Sequence, residues 1–413
     1  MKPPSDTRRR FLKQSAGAAA GAGVFQIVQP HVLGGPKHTP PSETFGAALI
    51  GVGGRGPGTF RDLSGKHGLA IREIAMCDVK YKGSEDNGRR YSDFRRLLER
   101  KDLDIVAIAT PPHWHALISI AAMEAGKDVL CEKPMTRFIS EGRAVADAVK
   151  RTGQVYQIGT YGRFGQHNSA NKREMRKIIR AGFAEGREVR AIKAGGFKIK
   201  QWSGPVNVPP REPPKNLDWD LYCGPSPLRP FQPPRFGGMH RGYWDYDGGG
   251  LSDMGQHYLD PITWLLGKDH TAPVKVEVSA PPAHPDVTGP WAWSKLTYAD
   301  GVEVVLDSGE WGEPSGLKSK TISRKDLTEE EREQLDALPD EEPMIGFGEA
   351  VKTRKQPGGN AEAAHRTVCL LHLTNIAIRT GRTIRFDPEK EIAIDDEEAN
   401  RLIDQPMRAP WRL

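Results

Sequence analysis

Apolar and polar positions follow two regimes along this chain. Between residues 45 and 158, short strand-like runs alternate with stretches of helical period. The runs at 47–50, 71–77, 105–109, 128–131 and 155–158 read as strands, and 114–125 and 140–151 read as helices. The run at 105–109 is apolar throughout, as a parallel strand covered on both faces must be. This alternation predicts an α/β fold with a doubly wound parallel sheet.

After 158 the period changes. A basic helix is expected over 168–182, ended by Gly182. Alternating runs at 189–194, 274–279, 295–298 and 302–306 then predict a large open, mostly antiparallel sheet. Residues 203–240 are rich in proline and carry Trp219, Tyr222, Phe231 and Phe236, so an ordered loop is expected there, its rings packed. An acidic surface helix falls within 326–342, and 361–380 is an apolar-striped helix closed by Gly381. The resulting division is 1–30 a leader, 31–44 a linker, 45–158 the parallel-sheet domain and 159–413 a second α/β domain for substrate binding and oligomerisation.

The chain has 413 residues, enough for two domains, and a net charge of +6. Lys2, Arg8, Arg9, Arg10 and Lys13 against Asp6 give the first 30 residues +4, leaving +2 for the rest. No basic stripe with interleaved aromatics follows, so nucleic acid is not an expected partner. Cys77, Cys131, Cys223 and Cys369 have no metal-ligand spacing, and no metal site is expected. Thr7 to Lys13, with its paired arginines, followed by a mildly apolar Ala/Gly-rich run at 16–28, reads as a twin-arginine export signal. That run is too short for a membrane span, so no stable membrane anchor is expected, and the chain should be periplasmic or otherwise exported.

Gly51-Val52-Gly53-Gly54-Arg55-Gly56 follows the first strand and opens a helix. Glycines there permit a tight turn and close approach of a pyrophosphate to backbone amides. Asp78 ends the next strand, where a carboxylate binds the adenosine ribose and repels a 2′-phosphate; NAD is therefore expected over NADP. The span from Asp78 to Tyr91 is short for a full helix. Thr110-Pro111-Pro112-His113-Trp114-His115 lies at the crevice end of the third strand, where His115 serves either the cofactor or helix capping and packing. Glu132-Lys133-Pro134 puts an amine at the end of a buried strand. Gly248-Gly249-Gly250 leads to Asp253 and His257, four apart on one helix face, although Asp253 could also cap that helix.

These segments together resemble the Gfo/Idh/MocA family of oxidoreductases, over essentially residues 45–400. The resemblance implies a Rossmann domain followed by an open-sheet α/β domain, and a dimer or tetramer formed through that sheet. It places Lys133 beside the nicotinamide and the substrate hydroxyl, and maps the family's Asp–His pair onto Asp253 and His257. An imidazole suits abstraction of a hydroxyl proton; Asp253 would orient it and Lys133 would stabilise alkoxide charge. Glu132, Thr110, Pro111 and Arg55 join the cofactor contacts. Tyr161, Arg163, Tyr243 and Trp244 are candidates for a small carbohydrate or cyclitol, though the aromatics would serve equally as core of the second domain.

Three functions fit. The first is an NAD-dependent oxidoreductase acting on a sugar, cyclitol or glycoside hydroxyl, its cofactor tightly held. The second is a redox-assisted glycosidase like glycoside hydrolase family 109, which shares the fold. The third is a non-catalytic binding member, which should have lost Lys133 or His257; both are present.

Overall fold

The computed structural model describes residues 43–84, 88–160, 163, 169–194, 203–309, 311–340 and 344–413. The expected leader and nearly all of the linker lie outside these residues.

Strands β1 (Phe45–Ile50), β2 (Ile71–Cys77), β3 (Arg90–Tyr91), β4 (Ile105–Ile108), β5 (Asp128–Cys131) and β6 (Tyr156–Ile158) form one sheet. Their order is β3-β2-β1-β4-β5-β6 and every neighbouring pair is parallel. Helices α1 (Gly56–Ser64), α2 (Phe94–Leu98), α3 (His115–Glu124) and α4 (Ile139–Thr152) connect them. The strand order reverses between β1 and β4, which opens a crevice at their carboxyl ends. After β2 the short span accommodates only a 3₁₀ turn at Val79–Tyr81 before β3.

The second half begins with α5 (Ala170–Arg180), β7 (Arg190–Ala194), the short α6 (Trp219–Cys223) and the long α7 (Gly249–Leu265). It continues with β8 (Lys275–Ser279), β9 (Trp293–Thr297), β10 (Glu303–Asp307), α8 (Glu329–Ala337), α9 (Phe347–Thr353) and α10 (Ala361–Thr380), and closes with β11 (Ile384–Asp387), β12 (Ile392–Ala393) and α11 (Glu397–Ile403). The second sheet runs β12-β11-β8-β9-β10-β7, antiparallel except where β7 joins β10.

One hydrophobic core passes through both halves. It contains Val106, Ile108 and Val145 from the first together with Leu259, Leu296, Leu370 and Leu371 from the second. Helix α10 is buried on nearly every side, packed against α4 and α7, so that polar residues outside its apolar stripe, such as His365, Thr367 and Thr374, are buried too. Helix α9, which the sequence did not announce, returns to the first half: Phe347, Ala350 and Val351 pack on Ala47, Leu49 and Phe60.

The outer face of the second sheet departs from expectation. Instead of an apolar surface it carries a ladder of charges: Lys275 and Lys295 each lie 3.0 Å from Glu277, and Arg190 lies 2.8 Å from Glu303. Period-two alternation in these strands is satisfied by burying the opposite face alone, through Val276, Leu296, Val304 and Leu306.

Arg163 also lies away from its expected place. Its side chain is fully buried, with a guanidinium nitrogen 2.7 Å from Asp260 on α7 and another 2.9 Å from Asp269. Thr160 donates to the second Asp260 oxygen at 2.5 Å. The arginine neutralises two carboxylates inside the protein, so it is part of the joint between β6 and α7 rather than a substrate contact. Removing one partner of such a pair strands a buried charge. Arg163→Ala should therefore lower unfolding free energy by about 3–5 kcal/mol, read as a fall in the urea or thermal midpoint; an unchanged midpoint would contradict this assignment.

Candidate active site

The loop after β1 is shaped by close approaches that only glycine allows. Gly51 has φ +91°, and a Cβ there would lie 2.7 Å from the Ala109 carbonyl carbon; one on Gly56 would lie 2.1 Å from the Gly51 oxygen. Gly53 and Gly54 face open space instead: nothing approaches a Gly54 Cβ within 4 Å, and only the Lys80 ammonium, at 3.7 Å, approaches one on Gly53. The loop backbone is thus bare toward a cleft of about 320 Å³. Asp78 holds the loop in place, accepting from the Val52 amide at 2.9 Å and the Lys80 amide at 2.9 Å. The Thr110 hydroxyl, on the same wall, is buried with no hydrogen-bond partner among the described residues. An exposed glycine backbone at the start of α1, an acid at the end of β2 and an unpartnered hydroxyl at the end of β4 fit a dinucleotide.

The opposite wall is built where the two halves meet. Glu132 accepts from the Thr59 hydroxyl at 2.5 Å and lies 3.4 Å from Arg55, tying the end of β5 to α1. Lys133 reaches across to α7, donating to the Asp253 carbonyl at 2.8 Å and its carboxylate at 2.9 Å. A second joint stands beside it. The fully buried Gln256 side chain accepts from the Met135 amide at 2.8 Å and donates to the Ala364 carbonyl at 3.2 Å. Arg241, from the loop before α7, donates to the same Asp253 oxygen at 2.7 Å. Asp253 stands inside the helix, bonded to two cations, and does not cap it; Gly248 occupies the cap position.

Burial alone would raise the Asp253 carboxyl, but Lys133 and Arg241 outweigh it and hold it below the ordinary carboxylate value. Asp247 is the opposite case: burial first, then repulsion by Asp253, pushes it up to about 7. His257, one turn beyond Asp253, is lowered to about 4 by burial and by Lys133, so its imidazole is neutral at pH 7.

Of the residues singled out from sequence, Gly51, Gly53, Gly54, Arg55, Asp78, Thr110, Pro111, Glu132, Lys133 and Asp253 line the cleft together, with Gly56 behind them at the start of α1. His115 is buried behind the cleft. Its two ring nitrogens lie 2.7 Å from the Thr110 and Pro134 carbonyls; the neutral ring donates to one of them and packs against the other, without facing the cavity. His257 is half-buried and outside the lining. Tyr161 lies outside the described residues. Tyr243 and Trp244 are core rather than substrate contacts: the Tyr243 hydroxyl donates to the Pro205 carbonyl at 2.9 Å and the Trp244 indole to the His284 carbonyl at 3.0 Å. Sequence reasoning missed Arg241, His240 and Asp247 and gave Tyr222 a packing role alone, though all four are on the cleft wall with Trp114. Their segments carry no period, and only the fold of the proline-rich loop over the 110–115 turn brings them in. There the Trp114 indole donates to the Leu221 and Tyr222 carbonyls, each at 3.1 Å.

Comparison with known proteins agrees with this architecture. Residues 45–160 match the Gfo/Idh/MocA profile described as oxidoreductase family, NAD-binding Rossmann fold, and residues 168–413 match its C-terminal alpha/beta domain. Levoglucosan dehydrogenase of Pseudarthrobacter phenanthrenivorans is 31% identical over 206 residues, covering 48% of this chain and 44% of that protein. A glycosyl hydrolase family 109 protein of Shewanella pealeana is 31% identical over 175 residues, covering 35% of this chain and 37% of that protein. The alignments thus span less than half the length of these curated relatives. The crystal structure of WlbA dehydrogenase from Chromobacterium violaceum, in complex with NADH and UDP-GlcNAcA, superposes with a TM-score of 0.53 at 18% identity, over 87% of this chain and 99% of the other, which supports the fold.

The buried histidines set the pH dependence of stability. Burial lowers His67, His115 and His257 to about 4, His240 and His372 to about 3, and His113 well below its usual value, and it lowers His270 and His365 as well. Burial raises Glu141 and Asp247 to about 7. Near pH 5 the unfolded chain, with its ordinary histidines and carboxyls, carries protons on these histidines that the folded chain lacks, and lacks the two carboxyl protons that the folded chain holds. The histidines outnumber the carboxyls, so the unfolded chain binds more protons and stability rises with pH from about 5 to 6.5, by up to about 1.4 kcal/mol per pH unit for each net proton. Urea unfolding at pH 5.0, 5.75 and 6.5 should give a rising midpoint; a flat or falling one would contradict the buried, neutral histidines.

Proposed function

The chain belongs to the Gfo/Idh/MocA oxidoreductase family, and from that premise we propose that it is an NAD-dependent oxidoreductase acting on a secondary hydroxyl of a sugar, cyclitol or glycoside. The observation that carries this reading is the Lys133–Asp253 contact at 2.9 Å, backed by Arg241, on the wall of the cleft that the glycine loop opens. Gly51, Gly53, Gly54, Asp78 and Thr110 would hold the dinucleotide, which when bound supplies the two-electron acceptor. Lys133 donates to the reacting oxygen and, with Arg241, keeps the local field positive as alkoxide charge develops. Asp253 fixes Lys133 and stays ionised. His257, already neutral, takes up a proton without first losing one. Its lowered affinity for protons makes it a weaker base than an ordinary imidazole, and Lys133 compensates by making the hydroxyl more acidic. Asp78 favours NAD, because a 2′-phosphate would meet its carboxylate.

The carbohydrate class is supported by levoglucosan dehydrogenase among the relatives. A second reading, redox-assisted cleavage of a glycosidic bond with return of the electrons, is supported by the family 109 glycosyl hydrolases among them. Export through the twin-arginine route to the periplasm is part of the proposal and is supported by Arg8 and Arg9 followed by the small-residue run at 16–28. An exported enzyme meets no pool of soluble NAD, so the cofactor should travel with the folded protein and stay bound. No helix among the described residues is long and apolar enough to cross a membrane. A homo-dimer or homo-tetramer belongs to the same reading; across the charged outer face of the second sheet its contact would be polar and weaken with salt.

The test is incubation of the purified protein with a panel of glycosides and free sugars without added NAD. Aglycone release identifies the glycosidase, and a sugar-dependent rise in reduced-cofactor absorbance identifies the dehydrogenase. Neither signal across the panel would count against both. Lys133→Ala should lower turnover by about 100-fold or more while leaving folding and nucleotide binding intact. Denaturing protein purified without nucleotide should release near-stoichiometric NAD; an empty protein of millimolar affinity would reject the held cofactor.

A further inference from the structure

Asp247 lies on the cleft wall without a role in the scheme above. It stands between the Arg241 loop and the glycine triplet that opens α7. It is 3% exposed; its Oδ1 accepts from the Gly248 amide at 2.7 Å, and its Oδ2 is buried with no hydrogen-bond partner among the described residues. The side chain borders two cavities. One is the cleft, where Lys133, Arg241 and Asp253 are its neighbours. The other, of about 30 Å³, lies behind it and is lined by Arg137, Ser252, His372, Asn375 and Arg379.

That inner cavity has polar and apolar walls, the latter from Phe138, Trp244, Ile376 and Leu402, and it has room for water, which needs roughly 10–15 Å³ per molecule. Two other polar atoms of its lining residues have no partner among the described residues, Nε of Arg137 and Nε2 of His372. Ordered water bridging these atoms and Asp247 Oδ2 would satisfy all three. Asp247 is thus a buried carboxyl with one oxygen held by backbone and the other without a partner among the described residues, on a residue that borders both the cleft and a cavity with room for water. His257 is half-buried and outside the lining of that cleft.

We propose that Asp247 is a second proton acceptor of the cleft, working beside His257 and passing protons to water in the cavity behind it. This rests on the oxidoreductase reading. As the substrate hydroxyl's O–H bond breaks, an O–H bond forms at Asp247 Oδ2, while the hydrogen of the adjacent C–H bond would leave with its electron pair for a bound oxidised dinucleotide and the C–O bond becomes a carbonyl. The Oδ2–H bond then breaks toward cavity water and the carboxylate is regenerated. The groups facing Asp247 suit such exchange near neutrality. Burial and Asp253 favour its protonated form, Arg241 and Lys133 favour the carboxylate, and the balance stands at about 7. From the cavity side Arg137 and Arg379 add positive charge. His372, lowered to about 3 by burial, stays neutral there and leaves the proton mobile.

The test pairs a spectroscopic readout with a kinetic one. Infrared difference spectra of the full chain, with and without saturating NAD, are recorded from pH 5 to 9 for the wild type, Asp247→Asn and Glu141→Gln. The wild type should show two protonated-carboxyl bands titrating near neutrality. Asp247→Asn should lose one, the band that NAD shifts, and Glu141→Gln the other. Asparagine keeps the Oδ1 acceptor for the Gly248 amide, so the turn should survive; Asp247→Glu, which keeps an acid, is the second variant should it not. On the substrate that the glycoside panel identifies, Asp247→Asn should lower kcat on the order of 100-fold and lose the neutral limb of the pH profile, at unchanged KM. Loss of no titrating band in Asp247→Asn, or a kcat within about twofold of wild type, overturns the proposal. A wild type that turns over nothing on the panel counts against the substrate reading, while the infrared result still decides whether Asp247 exchanges a proton.

Discussion

The ammonium of Lys133 resting on the carboxylate of Asp253 is the contact on which the cleft depends. Lys133 leaves the end of β5 in the first half, and Asp253 stands on α7 in the second, 120 positions later. The Met135–Gln256 bond repeats the joint one helical turn away, and Gln256 extends it to α10. Two links at a spacing of two to three residues on each side fix both distance and rotation, which a single ion pair could not do. The core behind them runs continuously through both halves, so the wall carrying Lys133 and the wall carrying Asp253 move as one body. Partial burial makes the pair consequential: without Asp253 the lysine would be an uncompensated charge in poorly solvated surroundings, whereas Asp253 without Lys133 keeps Arg241.

Charge follows from that geometry. Two cations share one ionised carboxylate, and the second carboxyl, Asp247, is held near its midpoint by burial and by Asp253. The cleft therefore keeps a positive bias at the place where negative charge would develop, and a protonatable oxygen beside it. His115 contributes without facing the cavity, since its ring fills the space between the Thr110 and Pro134 carbonyls and donates to one of them, in the gap between the two loops that carry Thr110 and Lys133. The glycine loop is held from the far side by Asp78, whose bond to the Val52 amide makes one carboxylate both a support of the loop and part of the cleft wall.

Much of the fold was legible because burial on both faces leaves a mark in sequence. Strands β1 and β4 are continuous apolar runs and β5 is apolar after Asp128; the glycine loop and Glu132-Lys133-Pro134 follow β1 and β5, and Asp78 follows β2, so their meeting at one crevice follows from strand order. Strands β3 and β12, two residues each, are too short to carry a period. Helix α9 has no meaning without the surface of α1 and β1 that it covers. Arg241 and Asp247 were invisible for another reason: they directly follow a proline-rich segment without repeating geometry, so whether their side chains turn inward depends on where α6 docks on Trp114. The same limit misled the reading of Tyr243 and Trp244, whose aromatic character suited a sugar and a core equally. Arg163 failed on burial. Two carboxylates, Asp260 and Asp269, claim it inside the protein, and nothing near Arg163 in sequence reveals them.

The central claim is that Lys133 and Asp253 act as one unit across the joint between the halves. A double-mutant cycle on kcat/KM, with Lys133→Ala, Asp253→Asn and the two combined, tests it most directly. Residues acting as a unit lose their effect together, so the double variant should be no more than about threefold worse than the weaker single variant. Losses that multiply, as for two independent sites, would contradict the account.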